Sequence, residues 1–178
     1  MDDTARPTPG SDRDDWAVLL DPAWQPRFEG DQPPPHAIAG GWPLASDGSR
    51  GRFEPNPDFA PADPAGPTDP VDAVLRLVAE GRAKVDELIP AVRDAVLEIA
   101  LSEDGYPLVG PAPDDVPCVA VVTAPLHRRD MASVELWGPV TAEGLLELLP
   151  PGTDILLNPE GPAPMRLLAS ALRDSFRG

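Results

Sequence analysis

The sequence predicts an α/β or α+β fold: a single mixed β-sheet with helices packed on it, preceded by a proline-rich N-terminal arm that contains a hairpin. Three observations point there. Cys118-Val-Ala-Val-Val-Thr123 is the most continuous β-branched run in the chain and has the character of a central strand. Asp69-Pro70 followed by Val71, Val74, Leu75 and Val78 is a capped amphipathic helix. Of the 26 prolines, 14 lie in the first 70 residues, so the core-forming apolar segments fall after Pro70, where strand and helix patterns alternate. A hydrophobic content of 42% is that of a folded chain rather than a disordered one.

Taken in order, residues 1–15 are charged, contain Pro and Gly, and have no apolar periodicity, which predicts a mobile tail. Trp16 to Leu20 reads as a strand ended by Asp21-Pro22, and residues 21–35 as a linker whose Pro33-Pro34-Pro35 favours polyproline II. Ile38 to Leu44, the Asp47-Gly48 turn and Gly51 to Phe53 make a hairpin, which Gly40, Gly41 and Pro43 place at an edge. After a second proline-rich connection, the helix from Pro70 to Glu80 has Asp69 as N-cap, Pro70 at its first position, Asp72 near its positive end and Gly81 as its stop. Val85, Leu88, Ile89 and Val92 give a short second helix, which survives Pro90 if Asp86 is the cap and Pro90 falls in the first turn.

Leu97, Ile99 and Leu101 alternate as a half-buried strand, and Asp104-Gly105 turns it into a return arm, Tyr106 to Val109. Pro111 to Pro117 is a loop before the central strand, and His127 to Ser133 a polar connection after it. Val134 to Trp137 is a short strand stopped by Gly138-Pro139, and Thr141 caps a helix that turns Leu145, Leu148 and Leu149 inward. Ile155 to Leu157 is a buried strand broken by Asn158-Pro159 and Gly161-Pro162. The stretch from Ala163 to Arg177 then has helical periodicity, with Met165, Leu168, Leu172 and Phe176 on one stripe.

The net charge of −16 opposes nucleic-acid binding, which needs clustered Lys and Arg to displace counterions. No apolar run approaches the length of a bilayer span and no signal-peptide pattern opens the chain, so a cytoplasmic protein is expected. No cofactor or metal motif is present. Cys118 and His127 invite a nucleophile–base reading, but a thiol at the start of an apolar strand packs as a small hydrophobe. Gly161 before a helix could offer amides to an anion, although Pro162 and Pro164 remove two donors.

Two candidate binding features remain. Arg166, Arg173 and Arg177 would line the outer face of the last helix, either as a solvated face or as a stripe for an acidic partner or the acidic arm. Trp16, Trp24, Phe28, Trp42, Phe53 and Phe59 all lie in the proline-rich first third, where they either fold back on the core or mark a partner-binding surface. A pocket turn at Asn158 and Pro159, facing the Val116–Thr123 strand, is the candidate for a small molecule.

From Ile38-Ala-Gly-Gly-Trp42 onward, the chain resembles a family of actinobacterial proteins named for association with the type VII secretion system. The resemblance is carried by Gly40-Gly-Trp42, Phe53-Glu-Pro-Asn-Pro57, Pro67-Thr-Asp-Pro-Val-Asp-Ala-Val-Leu-Arg76, Val116-Pro-Cys-Val119 and Leu156-Leu-Asn-Pro-Glu-Gly-Pro-Ala-Pro-Met-Arg-Leu-Leu168. The last of these is also similar to the SseB N-terminal domain, where a strand, an Asn-Pro turn and a helix close an α/β domain. The resemblance leaves out the first 15 residues, the expected tail, and with the residue patterns it implies an arm over 16–69 packed on the core and an SseB-like α/β domain over 70–178. Together with the lack of a catalytic set and the aromatic proline-rich arm, it implies a non-enzymatic cytoplasmic accessory or adaptor that binds a secretion substrate or machine component. The alternative is a small-molecule sensor or an enzyme using a pocket near Asn158.

Overall fold

The computed structural model describes residues 15–177, so most of the expected tail lies outside the described residues. In the arm, β1 (Asp15–Leu20) pairs antiparallel with β2 (Ile38–Leu44), and β2 pairs on its other side with β3 (Glu54–Pro55). The hairpin exists, but β2 lies in the middle of a three-stranded sheet instead of at an edge, because the linker brings β1 back beside it. Its return strand starts at Glu54, just past the expected Gly51–Phe53. Gly40 has no substitute here: at φ 156°, a Cβ would lie 2.4 Å from both the Phe53 ring and the Glu54 carbonyl oxygen.

Phe53 fastens the arm to the rest of the chain. Its N–H donates to the Asp94 carbonyl at 2.7 Å, its carbonyl accepts from Val96 N–H at 2.8 Å, and its ring is in the core at 2% exposure. Trp42 meets that ring edge-on at 4.9 Å between centroids.

Helix α1 (Pro70–Ala79) follows its caps. Asp69 Oδ1 accepts from Val71 N–H at 2.9 Å and Asp72 N–H at 3.0 Å, and Gly81 at φ 70° ends the helix. A 3₁₀ turn, Val85–Glu87, leads into α2 (Leu88–Arg93), so Pro90 does fall in a first turn. The N-cap position of α2 is Glu87 in place of Asp86; its carboxylate caps no α2 amide and instead takes Lys84 N–H at 2.9 Å, closing the 3₁₀ turn.

The second sheet is built from β4 (Leu97–Leu101), β5 (Val109–Pro111), β6 (Pro117–Val122), β7 (Leu136–Val140), β8 (Asp154–Leu157) and β9 (Met165–Leu167). Helices α3 (Ala142–Leu148) and α4 (Ala169–Asp174) complete the fold. The order is β7-β4-β6-β8-β9, with β5 also paired to β6. Only β6 and β8 are parallel, so the sheet is mixed and β6 is central.

Several expectations change. β4 is an interior strand, with Ala100 as buried as Ile99, so its alternation does not mark a solvent face. The expected return arm forms over Tyr106–Leu108: Leu101 and Pro107 make an antiparallel bridge, Ser102 N–H donates to the Tyr106 carbonyl at 2.8 Å, and Leu108 N–H donates to the Ala100 carbonyl at 3.0 Å. The register along β6 steps from Ile99↔Val121 to Val109↔Val119, so the chain takes ten residues to advance two. β5 thus prolongs the line of β4 after this short excursion loop, and a second hairpin, β5–β6, is closed by the Ala112–Val116 turn. Gly138-Pro139 lies inside β7 instead of ending it; β7 borders only β4, so the missing proline donor costs no ladder bond on the open side. Leu148 is 47% exposed, while Leu145 fills the core from the same helix.

The largest correction concerns the C-terminal stretch. Met165–Leu167 is a strand antiparallel to β8, and the helix is only Ala169–Asp174. Pro162 and Pro164 disfavour helical backbone at Gly161 and Ala163, which precede them, and the open edge of β8 supplies ladder partners for Met165–Leu167. Leu168 is therefore 46% exposed, and only Leu172 of the expected stripe is fully buried. Asp154 links the two elements: Oδ2 accepts from Arg166 at 2.9 Å and Oδ1 from Ala169 N–H, the first residue of α4, at 2.9 Å.

The four helices contribute Val71, Leu75, Leu88, Val92, Leu145 and Leu172 to the core that covers one sheet face, against Leu97, Ile99, Val119, Val121, Ile155, Leu157 and Leu167. The register puts Cys118, Ala120, Leu156, Glu98, Ala100 and Trp137 on the other face. A 3₁₀ turn, Pro125–Asp130, crosses it, tied down by the Arg128–Glu98 ion pair.

Candidate functional site

Two regions carry the chemistry of the molecule. The first is a buried polar clamp at the carboxyl ends of the parallel pair β6–β8. Asn158, left-handed at φ 43°, turns its amide inward: Oδ1 accepts from Thr123 N–H and Nδ2 donates to Thr123 Oγ1, both at 2.9 Å. Thr123 Oγ1 donates to Asp69 Oδ2 at 2.7 Å, and Thr68 Oγ1 donates to the same oxygen at 2.8 Å. His127 Nε2 lies 2.9 Å from the Thr68 hydroxyl, whose own proton goes to Asp69, so the proton of this contact belongs on Nε2. Asp72 Oδ2 takes Thr68 N–H at 3.0 Å and Arg76 Nε at 2.9 Å.

All these residues except Arg76 are at least nine-tenths buried. Burial pushes the Asp69 carboxyl up from its ordinary value, while its hydrogen bonds with Asp72 N–H, Thr123 and Thr68 oppose the rise. Asp72 Oδ1 is buried without a hydrogen-bond partner; His127 Nε2 is 4.0 Å away. The clamp ties the linker, the α1 N-terminus and the ends of β6 and β8 together. It joins two motifs that are far apart in the chain, Pro67-Thr-Asp-Pro-Val-Asp72 and Leu156-Leu-Asn158. Sequence reasoning placed Asp69 only as a cap and missed Thr68, Asp72, Thr123 and His127 as a set. The available signal was a hydroxyl residue closing the central strand and another preceding the helix cap.

The second region is the partly covered sheet face. A cavity of about 570 Å³ is lined by Cys118 and Ala120 of β6, Leu156 of β8, Met131, Pro159 and the β5 segment, with Glu160 at its rim. A second, of about 630 Å³, lies between the excursion loop (Leu101, Ser102, Glu103) and Ser133–Leu136. Leu108 lines both; the first, over Cys118, Ala120 and Leu156, is the groove of this face, whereas Leu101 and Leu136 of the second share the register parity of Ile99. Leu108 and Val109 are exposed in the groove lining at 40 and 44%, and Tyr106, at 72%, is exposed on the same loop without lining either cavity. Glu103, Asp104, Asp114, Asp115, Asp130, Glu135 and Glu160, exposed acids all, occur in the segments that frame this apolar surface. Burial pushes the Cys118 thiol up, Asp154 adds to the rise and Arg166 opposes it, so this thiol is the reverse of an activated nucleophile.

The expected site residues scatter. Phe53 and Phe59 are buried at 2 and 4%, Trp42 and Trp24 are half-buried, and Trp16 and Phe28 are exposed at 41 and 64%, so the aromatics are mainly pieces of the fold and not one surface. There is no basic stripe on the last helix. Arg166 sits in β9 and pairs with Asp154 at 2.9 Å and Asp114 at 2.7 Å, Arg173 is exposed, and Arg177 pairs with Asp174 at 3.1 Å. Pro159 does border the groove, whereas Asn158 faces away from it into the clamp. His127 and Cys118 belong to different regions, the clamp and the groove.

Among the described residues, no group of His, Cys, Asp and Glu is placed to hold a metal ion, and no helix is long and apolar enough to cross a membrane. No protein-family model, curated protein or solved structure matches the chain.

Proposed function

We propose that the protein is a non-enzymatic cytoplasmic accessory or adaptor associated with type VII secretion, acting by protein–protein binding through the groove on the partly covered sheet face. The observation that carries the binding reading is the exposed apolar pair Leu108 and Val109 in the groove lining, beside the exposed Tyr106 and framed by acidic residues. Contiguous apolar surface with a polar rim is where proteins dock, and an acidic rim selects a partner whose apolar segment is flanked by Lys or Arg. The secretion assignment rests on the motifs that carry the family resemblance. The partner is then a secretion substrate or a component of the machine.

The test is affinity capture from native cells, with wild-type protein and with Leu108→Asp. Recovery of a secretion component by wild type alone is the expected result. Recovery of the same proteins by both forms, or of no secretion component in repeated captures, overturns it.

The alternative, a small-molecule sensor or enzyme, is favoured by one observation: the cavity beside Pro159 has the volume of a small-ligand site. Its polar complement is thin, because Asn158, Thr123 and Asp69 bond to one another out of its reach. A metabolite that raises the melting temperature of wild type but not of Ala120→Leu would establish this reading.

A further inference from the structure

We infer that a cleft at the arm–core junction is an oxyanion site, taking a carboxylate or phosphate group between Arg50, Arg52 and Arg93. This rests on observations separate from the docking groove. The cleft, of about 270 Å³, is lined by Arg50, Gly51 and Arg52 from the β2–β3 connection, Arg93 and Asp94 at the end of α2, and Glu143 in the first turn of α3. The chain has 14 Lys and Arg against 30 Asp and Glu, so three arginines on one small cleft run against the trend of the molecule.

Their partners matter more than their number. Arg93 donates to the Ser175 carbonyl at 2.7 Å and lies over the Phe176 ring at 4.3 Å from its centroid; Arg50 lies over Trp42 at 5.6 Å. A carbonyl and aromatic rings orient a guanidinium without neutralising it. Among the described residues, neither Arg50 nor Arg93 has a carboxylate ion-pair partner. Arg52 donates through Nε to the Arg93 carbonyl at 3.0 Å and through Nη2 to Glu143 Oε1 at 2.6 Å.

Glu143 shows what the cleft accepts. Its carboxylate is held through one oxygen only, and Oε2 is buried with no hydrogen-bond partner. A guanidinium grips a carboxylate best through both oxygens, so this internal ligand is weakly held and can be displaced by an oxyanion that meets two arginines at once. Glu143 is therefore a built-in competitor for the site. Asp94, exposed at the rim, lowers the affinity without occupying the same guanidinium.

The probes are inorganic phosphate and succinate, titrated into the intact protein at constant ionic strength while the arginine Nε–H resonances are followed by NMR, with chloride as control. The site predicts saturable shifts at Arg50, Arg52 and Arg93 with at least one of the two anions. Phosphate alone assigns a phosphorylated ligand, and succinate assigns a carboxylate one. Glu143→Gln binds about fivefold tighter, the size of one surface charge pair removed, and Arg50→Gln, an exposed position, loses saturation while keeping the wild-type fold. Shifts that chloride reproduces, the absence of saturation, or affinities indifferent to both substitutions overturn the assignment.

Discussion

The two faces of the second sheet are built from the same strands yet differ in what they hold. One carries Val119, Val121, Ile155 and Leu157, each fully buried under helices. The other alternates with them through Cys118, Ala120 and Leu156, smaller or half-exposed, beneath one short 3₁₀ turn and an excursion loop. Burial of large branched side chains is worth about 1.5–3 kcal/mol each, so stability is concentrated on the first face and the second is left free to bind. The polar clamp sits where the two meet, fixing the ends of β6 and β8 without lining the groove.

The largest expected effect breaks this contrast directly. Leu157→Ala should cost about 2–5 kcal/mol, the range for a buried leucine, whereas Leu156→Ala, its neighbour on the other face, should cost under about 1 kcal/mol. Chemical denaturation of both variants measures it; equal losses would mean that the second face is a core too. Next comes the clamp. Asn158→Ala leaves Thr123 N–H buried and unbonded, a loss of about 1–3 kcal/mol. Because Thr123 bridges Asn158 to Asp69, a double-mutant cycle with Asp69→Ala should show a coupling of about 0.5–3 kcal/mol, and additive losses would dissolve the clamp into independent contacts.

How much of this was legible in the chain depends on how local the cause was. The α1 caps lie within a few residues of the helix, and Asp69, Pro70 and Gly81 have the roles their types imply. The central strand Cys118–Thr123 and the mixed sheet also follow from local apolar runs. The failures are tertiary. Met165, Leu168, Leu172 and Phe176 have helical spacing, but the free edge of β8 takes Met165–Leu167 as a strand. The Asp104-Gly105 turn forms as its residues imply, with Leu101 bridged to Pro107, but the chain beyond it becomes β5 because β6 has room past the end of β4. The same displacement moves Arg166 off the helix and dissolves the expected basic stripe. The clamp was invisible because its members come from four separate segments, and the groove because its apolar residues lie on an excursion loop and a connection with no periodicity.

Smaller effects sharpen the contrast further. Leu108→Asp should change folding stability by no more than about 0.5 kcal/mol, as exposed substitutions do, while abolishing partner capture. A large loss of stability would show Leu108 to be structural. Cys118 should be alkylated by iodoacetamide more slowly than a free cysteine at pH 8. Its thiol, pushed up by burial, is deprotonated only at higher pH, so the rate should rise later on the pH axis. Alkylation as fast as the free amino acid would mean an open thiol.

Two exposed leucines separate the groove from the helix layer. Leu108 lines the groove at 40% exposure, and Leu148 stands on the helix layer at 47%. A photo-crosslinking residue placed at each position in native cells samples the two at similar accessibility. A discrete protein adduct at position 108, with none at 148, is the predicted result. Adducts at both positions alike, or at 148 alone, would contradict the assignment of binding to the partly covered face.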